Sequence, residues 1–492
     1  MNTHRQSINF RLFLVLLTIL AILAIRLPFL SKPLTGEEGT HAMLIVQSPS
    51  SDALILGAKE KESLNSCLTL IAHIGGRDIF VRPSRNLAPY CFLNKALNPI
   101  ASPFYRALTS FEDKTKFARS IFLGISALGY LALVGICFLS SCNLRGTSMV
   151  LPFLILLYAS STVLSVGSSI QPQLDGSLGV GLLGISFFLV ALDAAFVLRT
   201  QISIALIFLA GYLVAFCKNE WPLALAASIL VCLVLRTIMI VWIKNGRGSK
   251  NSFSIPIKLL FLVLGLGAGM LTCFLISPND YLSGYRLMQS IGSQKYSPLT
   301  LIAIFRDLLH PLGILILIAI LMTLLNLKEQ LHHNFLLLIY LVFAVGITVG
   351  FISSGWLGDG FPRYFAPPML LVAGYIAAVL PTLFDGKKLY ITSLCILIIG
   401  LGIVQNFRIL NVYRETSISI TVPGDTNWIK NEIVSVAEKS LSNPNQVFIV
   451  HSAVRYYFPN TQFVAMDYGN ELAAQDILNM INNPRLELVG RK

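Results

Sequence analysis

Residues 12–25 read LFLVLLTILAILAI, and residues 26–41 behind them read RLPFLSKPLTGEEGTH. The first stretch decides the fold. It is free of charge, Arg5 and Arg11 precede it, and with its flanks it gives an apolar span over 10–30. About 20 such residues cross a hydrocarbon core of about 30 Å. No small-x-small cleavage site follows, only Arg26, Leu27 and Pro28. The reading is therefore an uncleaved first span with a cytoplasmic N-terminus.

Working outward, comparable stretches recur at 117–140, 147–167, 177–198, 202–217, 222–243, 255–276, 301–325, 335–352, 365–384 and 389–407. The expected fold is mainly α: a polytopic transmembrane helix bundle of about eleven spans. Only 12% of the 492 residues are charged, against roughly 25% in a soluble protein, which excludes a water-soluble chain. The net charge of +13 would raise nucleic acid as a partner on a soluble protein. Here the basic residues sit at span ends and in loops, suited to anionic lipid or an anionic substrate, with no basic-aromatic patch for nucleic acid. With the N-terminus inside, the short cytoplasmic loops hold Arg145, Arg199, Lys244, Arg247, Lys250, Lys328, Lys387 and Lys388, as the positive-inside rule requires. The odd span count places the C-terminus outside, and the modest length points to a bacterial inner membrane with a periplasmic tail.

Four parts follow: the first span (1–30), a long outer loop with interfacial helices (31–116), the helix bundle (117–411) and a small α/β outer domain (412–492). In the last part Gln446–His451 and Gln462–Met466 read as strands. Asn427–Ser440 and Glu471–Asn482 read as amphipathic helices. Cys67 and Cys91 share the outer loop and could pair if that side is oxidising.

The chemistry points to the stretch behind the first span. Glu37 and Glu38 are adjacent carboxylates close to the membrane edge. Adjacent carboxylates repel, so one can have a raised pKa and act as a general base, or the pair can hold a divalent cation. His41 follows Glu37 by four residues, one helical face, a spacing that suits a third metal ligand. The alternative is plain: acids in the first turn of a helix are favoured by its dipole. No P-loop, GxSxG, HExxH or CxxC occurs.

The order R-L-P-F-L-x-x-P-L-x-G-E-E-G behind an N-terminal span resembles the opening of the GT-C superfamily of polyprenyl-phosphate-sugar-dependent glycosyltransferases, which includes protein O-mannosyltransferases and lipid A aminoarabinose transferases. The architecture resembles that superfamily over nearly the whole chain. Its first-loop motif is usually Asp-Glu, where this chain has Glu37-Glu38.

That resemblance implies an outer-face site. Asp175 would position an acceptor, or cap the fourth span. Lys218 would meet a donor phosphate, or be neutralised by Glu220. Arg286 borders the next outer loop with Lys295 and Arg306. Arg363 and Tyr364 open a late span, where the resemblance implies an arginine facing the lipid-linked donor. A guanidinium fork suits phosphate, although Arg and Tyr also anchor at head groups. The implied reaction moves a sugar from a polyprenyl-phosphate donor to a lipid, glycan or protein acceptor with inversion, Glu37 or Glu38 taking the acceptor proton. Two other classes stand beside it. One is a transporter or flippase of lipid-linked glycans, which needs a mid-membrane polar site and often two related halves. The other is an assembly protein whose tail binds a partner.

Overall fold

The computed structural model describes residues 2–32, 34, 38–39, 42, 45–46, 71–74, 77–80, 88–144, 146–172, 174–196, 198–218, 220–242, 254–276, 281, 311–332, 334–353, 365–383, 393, 396–404, 427–442, 447–451, 456–458, 463–466 and 486–488. The chain is an integral membrane protein of mainly helical build. Among the described residues six helices are long and apolar enough to cross a membrane, or seven if one bent pair counts as a single span. Shorter apolar helices cover Leu312–Leu325, Phe335–Gly350 and Ala366–Leu380.

Helix α1 (Asn2–Arg26) ends because Pro28 follows. The residue before a proline is driven out of the α region and helices stop near it. The chain tightens there into a 3₁₀ turn, Leu27–Phe29, closed by the Leu30 N–H on the Leu27 carbonyl at 3.2 Å. Helix α2 (Ala88–Ala107) has two faces. Leu93, Leu97, Ala101 and Tyr105, spaced four apart, join a buried cluster, while Phe92, Ile100 and Phe104 stay exposed.

Helix α3 (Phe111–Cys142) is the longest of the described helices. Ser110 caps it by accepting from the Asp113 N–H at 3.0 Å, and Glu112 and Asp113 occupy the first turn, where the dipole favours acids. Fixing that start puts Thr115, Ala118, Arg119 and Phe122 on one buried face. Deeper in, Gly129 faces helix α6 (Gly179–Ala195). A Cβ on Gly184 would sit 2.7 Å from the Gly129 Cα, and one on Gly181 would sit 2.6 Å from the Ile125 carbonyl oxygen. Helices in lipid gain no hydrophobic drive from meeting one another, so such small-residue seams let backbones approach and dispersion hold them.

The stretch expected as one span over 147–167 is instead two helices, α4 (Leu151–Ser160) and α5 (Val163–Ile170), bent by 71°. The physical reason is local. Ser160, Ser161 and Thr162 turn their hydroxyls to carbonyls three residues back, a habit that competes with the helix ladder. Thr162 then caps α5, accepting from the Ser165 N–H at 3.2 Å.

Beyond α6 run α7 (Thr200–Cys217), α8 (Glu220–Trp242), α9 (Ser254–Ile276), α10 (Pro311–Leu325), α11 (Leu327–His332), α12 (Phe335–Ser353) and α13 (Ala366–Leu383). Near the end lie α14 (Asn427–Ser442) and three parallel strands, β3 (Val447–His451) at the centre with β4 (Phe463–Met466) and β5 (Leu486–Leu488) on its edges. In the first loop β1 (Ile71–Ile74) pairs antiparallel with β2 (Arg77–Phe80). The expected helix at Glu471–Asn482 lies outside the described residues.

Candidate functional site

Two fully buried arginines organise the end of the bundle where α1 finishes and α3 begins. The first is Arg119, about two turns inside α3. Its Nη1 and Nη2 donate to Glu38 Oε1 and Oε2 at 3.2 and 3.1 Å, a two-pronged ion pair. Its Nε donates to the Lys32 carbonyl at 2.8 Å, and Nη1 also reaches the Ile170 carbonyl at 3.4 Å. One guanidinium therefore ties the Lys32–Glu38 stretch to the end of α5. Both side chains are fully enclosed. Paired, hydrogen-bonded charge is the form in which burial is tolerated, because an isolated ion would lose several kcal/mol of hydration, uncompensated.

The second is Arg26, the last residue of α1, whose partners among the described residues are all neutral. Nε donates to Ser169 Oγ at 2.6 Å, Nη1 to the Ile22 carbonyl at 2.6 Å, and Nη2 to the Tyr130 hydroxyl at 2.5 Å and the Ser160 carbonyl at 2.9 Å. A longer contact runs from Nη2 to the Ser165 carbonyl at 3.5 Å. Ser160 ends α4, so Arg26 places a cation at the negative pole of the broken helix. The two networks meet on α5: Ser169 accepts from Arg26 on its hydroxyl and from Ser126 Oγ on its carbonyl at 2.8 Å, one residue before the carbonyl that Arg119 reaches.

Residues Tyr456–Phe458 close the top of this assembly. Tyr105 donates its hydroxyl to the Tyr456 carbonyl. Lys114 Nζ donates to the Tyr457 carbonyl at 2.7 Å, and the Tyr456 hydroxyl returns a bond to the Lys114 carbonyl at 2.8 Å. Tyr457 and Thr115 share a hydroxyl–hydroxyl bond of 2.7 Å. Burial pushes the Tyr457 phenol up, against the downward pull of that bond and of the Arg119 charge. Burial pushes Tyr456 up as well. Leu34, Ala42, Ile45, Ala118, Phe122 and Ile433 and Val436 of α14 complete the cluster.

Of the expected site residues, Glu38 lies at this centre. Asp175 lies in a π-helical turn, Leu174–Leu178, in front of α6, one loop away. That loop leaves Ile170, whose carbonyl takes the Arg119 contact, and closes where Ser177 Oγ donates to the Gln171 carbonyl at 2.7 Å. Lys218, between α7 and α8, pairs with Glu220 at 3.3 Å. Glu37, His41, Arg286, Arg363 and Tyr364 lie outside the described residues, as do Cys67 and the Cys91 side chain.

Both Glu38 carboxylate oxygens accept from the Arg119 fork, and the other two expected ligands, Glu37 and His41, lie outside the described residues. Among the described residues no group of three or more His, Cys, Asp or Glu is placed to hold a metal.

Arg119, Arg26 and Tyr457 are the residues that sequence reasoning passed over. For the arginines the signal was present: a charged residue within an apolar span needs a partner or a function. Arg119 falls just inside the 117–140 stretch. Tyr457 has no comparable signature, since only folding brings it beside residues more than three hundred positions away.

No family model matches the chain, and no curated protein matches it. Among solved structures it is similar to the Archaeoglobus fulgidus oligosaccharyltransferase in complex with Zn and sulfate, with 12% sequence identity over 95% of this chain and 67% of that one and a TM-score of 0.45.

Proposed function

We propose that this chain is an inverting membrane glycosyltransferase that takes its sugar from a polyprenyl-phosphate donor and hands it to an acceptor hydroxyl or amine at the outer face. The observation that carries the reading is Glu38, a carboxylate directly behind the first span, buried and held by both prongs of Arg119. A fixed acid at the membrane edge, next to a second acid in sequence, is what deprotonation of an acceptor beside a lipid-linked donor requires. The basic loops support an inside N-terminus, which puts this end of the bundle outside. The about eleven spans, the outer loop 31–116 and an outer α/β domain over 412–492 complete the architecture.

In this mechanism the roles of the two acids separate. Glu38 spends its charge on Arg119 and anchors the segment. Glu37 is the general base. The acceptor oxygen or nitrogen attacks the anomeric carbon, the bond from that carbon to the phosphate oxygen breaks, and its electron pair leaves on the polyprenyl phosphate. The acceptor proton passes to the Glu37 carboxylate. Arg363, Tyr364 and Arg286 are proposed to receive the leaving phosphate, with Lys218 as a further cation at the same face. A guanidinium meets phosphate oxygens through paired charge-assisted bonds that strengthen as charge develops. Asp175, on the loop tethered to Arg119, is proposed to orient the acceptor.

The test is transfer from a panel of polyprenyl-phosphate sugars by the purified full chain, read as released lipid phosphate. Glu37→Gln removes charge and keeps size, and is expected to lower transfer by about 100-fold or more, the range for loss of a positioned base. Glu38→Gln should lower it together with stability, because Arg119 then loses its counter-charge. Undiminished transfer in both single variants and in the double would end the proposal.

A further inference from the structure

We propose that the corner between α8, α11 and α12 binds the phosphate head of an anionic lipid in the cytoplasmic leaflet, through Arg236 and Gln330. The inference goes beyond the transfer reaction and rests on the inside N-terminus read from the basic loops. That orientation makes the end of α8 at Trp242 cytoplasmic. Arg236 lies about 9 Å along the axis before that end and about 24 Å past Glu220, at the rise of an α-helix. It is therefore far from the cations proposed to meet the sugar donor.

Arg236 is half-buried, with its guanidinium carbon 5.2 Å from the centre of the Phe335 ring at the start of α12. Its Nε is buried and has no hydrogen-bond partner, and among the described residues no acid pairs with it. A snorkelling arginine carries its head into water. This one is stacked on a ring, and a cation in an apolar helix needs a counter-charge. Val234, Leu235 and Ile238 beside it are exposed, so this stretch of α8 faces lipid. The anion with access to that surface is a lipid head group.

Gln330 brings a second donor. It is fully buried on α11, its Oε1 accepts from the Tyr375 hydroxyl at 3.3 Å, and its Nε2 is buried without a partner. The Asn334 N–H bonds the Glu329 carbonyl at 3.4 Å. That bond folds the end of α11 back, so that Gln330 and Phe335 flank one turn. Arg236 on the ring and Gln330 at the turn thus leave two buried N–H groups unspent at one corner. Such donors are costly in an apolar setting, and phosphate oxygens satisfy them with charge-assisted bonds. The surroundings are basic. Lys328 is exposed on α11 and Lys244, Arg247 and Lys250 follow α8, against Glu329 as the one acid of α11. Basic residues just beyond a span attract anionic head groups.

The experiment is native mass spectrometry of the purified full chain titrated with phosphatidylglycerol, with phosphatidylcholine, or with phosphatidylglycerol in the presence of excess inorganic phosphate. The wild-type chain is expected to bind phosphatidylglycerol about 10-fold or more tightly than phosphatidylcholine, and inorganic phosphate should leave the lipid in place. Arg236→Gln should weaken phosphatidylglycerol by about 30-fold or more, the range for a lost charge-assisted hydrogen bond. Gln330→Glu keeps size and the Tyr375 contact, puts a carboxylate where Nε2 stood, and should weaken the lipid at least as much. Arg236→Lys keeps the charge and loses the fork; it should fold as wild type and carries the test should Arg236→Gln fail to fold, with a loss of about 10-fold. Lys328→Gln, a surface change, should stay within about 5-fold. Wild-type affinity in Arg236→Gln, Arg236→Lys or Gln330→Glu overturns the proposal, and so does equal affinity for the two lipids. An equally large loss in Lys328→Gln overturns it too, since that marks a diffuse basic surface. Displacement of the lipid by inorganic phosphate assigns the corner to a free anion and ends the lipid reading. None of these readouts involves sugar transfer, so the outcome is independent of the Glu37 and Glu38 variants.

Discussion

Arg119 and Arg26 are both fully enclosed, both lie close to one end of the bundle, and both touch α5, yet they are balanced in opposite ways. Arg119 meets a full negative charge on Glu38. Among the described residues Arg26 meets carbonyl and hydroxyl oxygens alone. Under the proposed function the difference separates two jobs. A carboxylate that accompanies an arginine into a low-dielectric interior is fixed in position by it, and a fixed carboxylate can hold a reacting segment still. Carbonyls around an arginine are instead the loose ends of a broken helix, and the guanidinium with its several donors collects them. On that reading one arginine orders the reacting segment and the other orders backbone.

The largest effect should come from breaking the charged pair. Arg119→Ala leaves Glu38 buried without its partner, and stripping one member of a buried pair destabilises by about 3–5 kcal/mol. Thermal unfolding in nanodiscs should show that drop, with transfer abolished. Replacing both residues, Arg119→Leu with Glu38→Leu, removes the buried charge altogether and should restore most of the stability and none of the transfer. A double variant no more stable than Arg119→Ala would mean that the pair's worth lies in packing and not in charge.

A smaller effect is expected at Arg26. Lysine keeps the charge there but carries three donors on one nitrogen, without the planar fork that reaches Ser169, Ile22, Tyr130 and Ser160 together. Arg26→Lys should strand some of the buried carbonyl oxygens. The loss should be about 1–3 kcal/mol, the usual penalty for an unsatisfied buried polar group. Because no acid among the described residues bonds Arg26, neutralising Glu38 should not relieve that loss. A rescue of Arg26→Lys by Glu38→Gln would show that the two arginines share one electrostatic network, and the contrast between them would fall.

Much of the membrane architecture was legible because hydrophobicity in runs of about 20 residues is a one-dimensional property. α3 and α9 emerge within a few residues of the stretches that sequence marks. The break between α4 and α5 was not legible, although its cause is written in Ser160, Ser161 and Thr162: an apolar window averages over three small hydroxyls that redirect carbonyls. The site divides the same way. Glu38 stands in a local motif and could be read directly. Its partner Arg119 could have been found only by asking what a charge inside an apolar span pairs with, and the answer lies 81 residues earlier. Tyr457 could not be found at all from local pattern. Its ring looks like any aromatic in an ordinary segment until the fold sets it on Thr115. Lys218 shows the reverse case, for the nearest opposite charge in sequence, Glu220, is its partner in space.

The smallest effect concerns how the break itself is held, since Arg26 works on it from outside and Thr162 from within. Thr162 Oγ1 accepts from the Ser165 N–H at 3.2 Å and so satisfies one of the open donors at the start of α5. Removing such a cap costs about 0.5–2 kcal/mol. Thr162→Ala should fall in that range by thermal unfolding, and Thr162→Ser, which keeps the accepting oxygen, should be close to wild type. The informative measurement is the pair with Arg26→Lys. Both side chains act within one turn of the break, and Arg26 reaches the Ser165 carbonyl while Thr162 takes the Ser165 N–H. Residues that share a partner do not add, and their coupling commonly exceeds about 0.5 kcal/mol. The double variant should therefore depart from the sum of the singles by at least that much. Strict additivity would mean that the cap and the guanidinium hold the break independently, and that Arg26 serves the end of α4 alone, with no hand in where α5 begins.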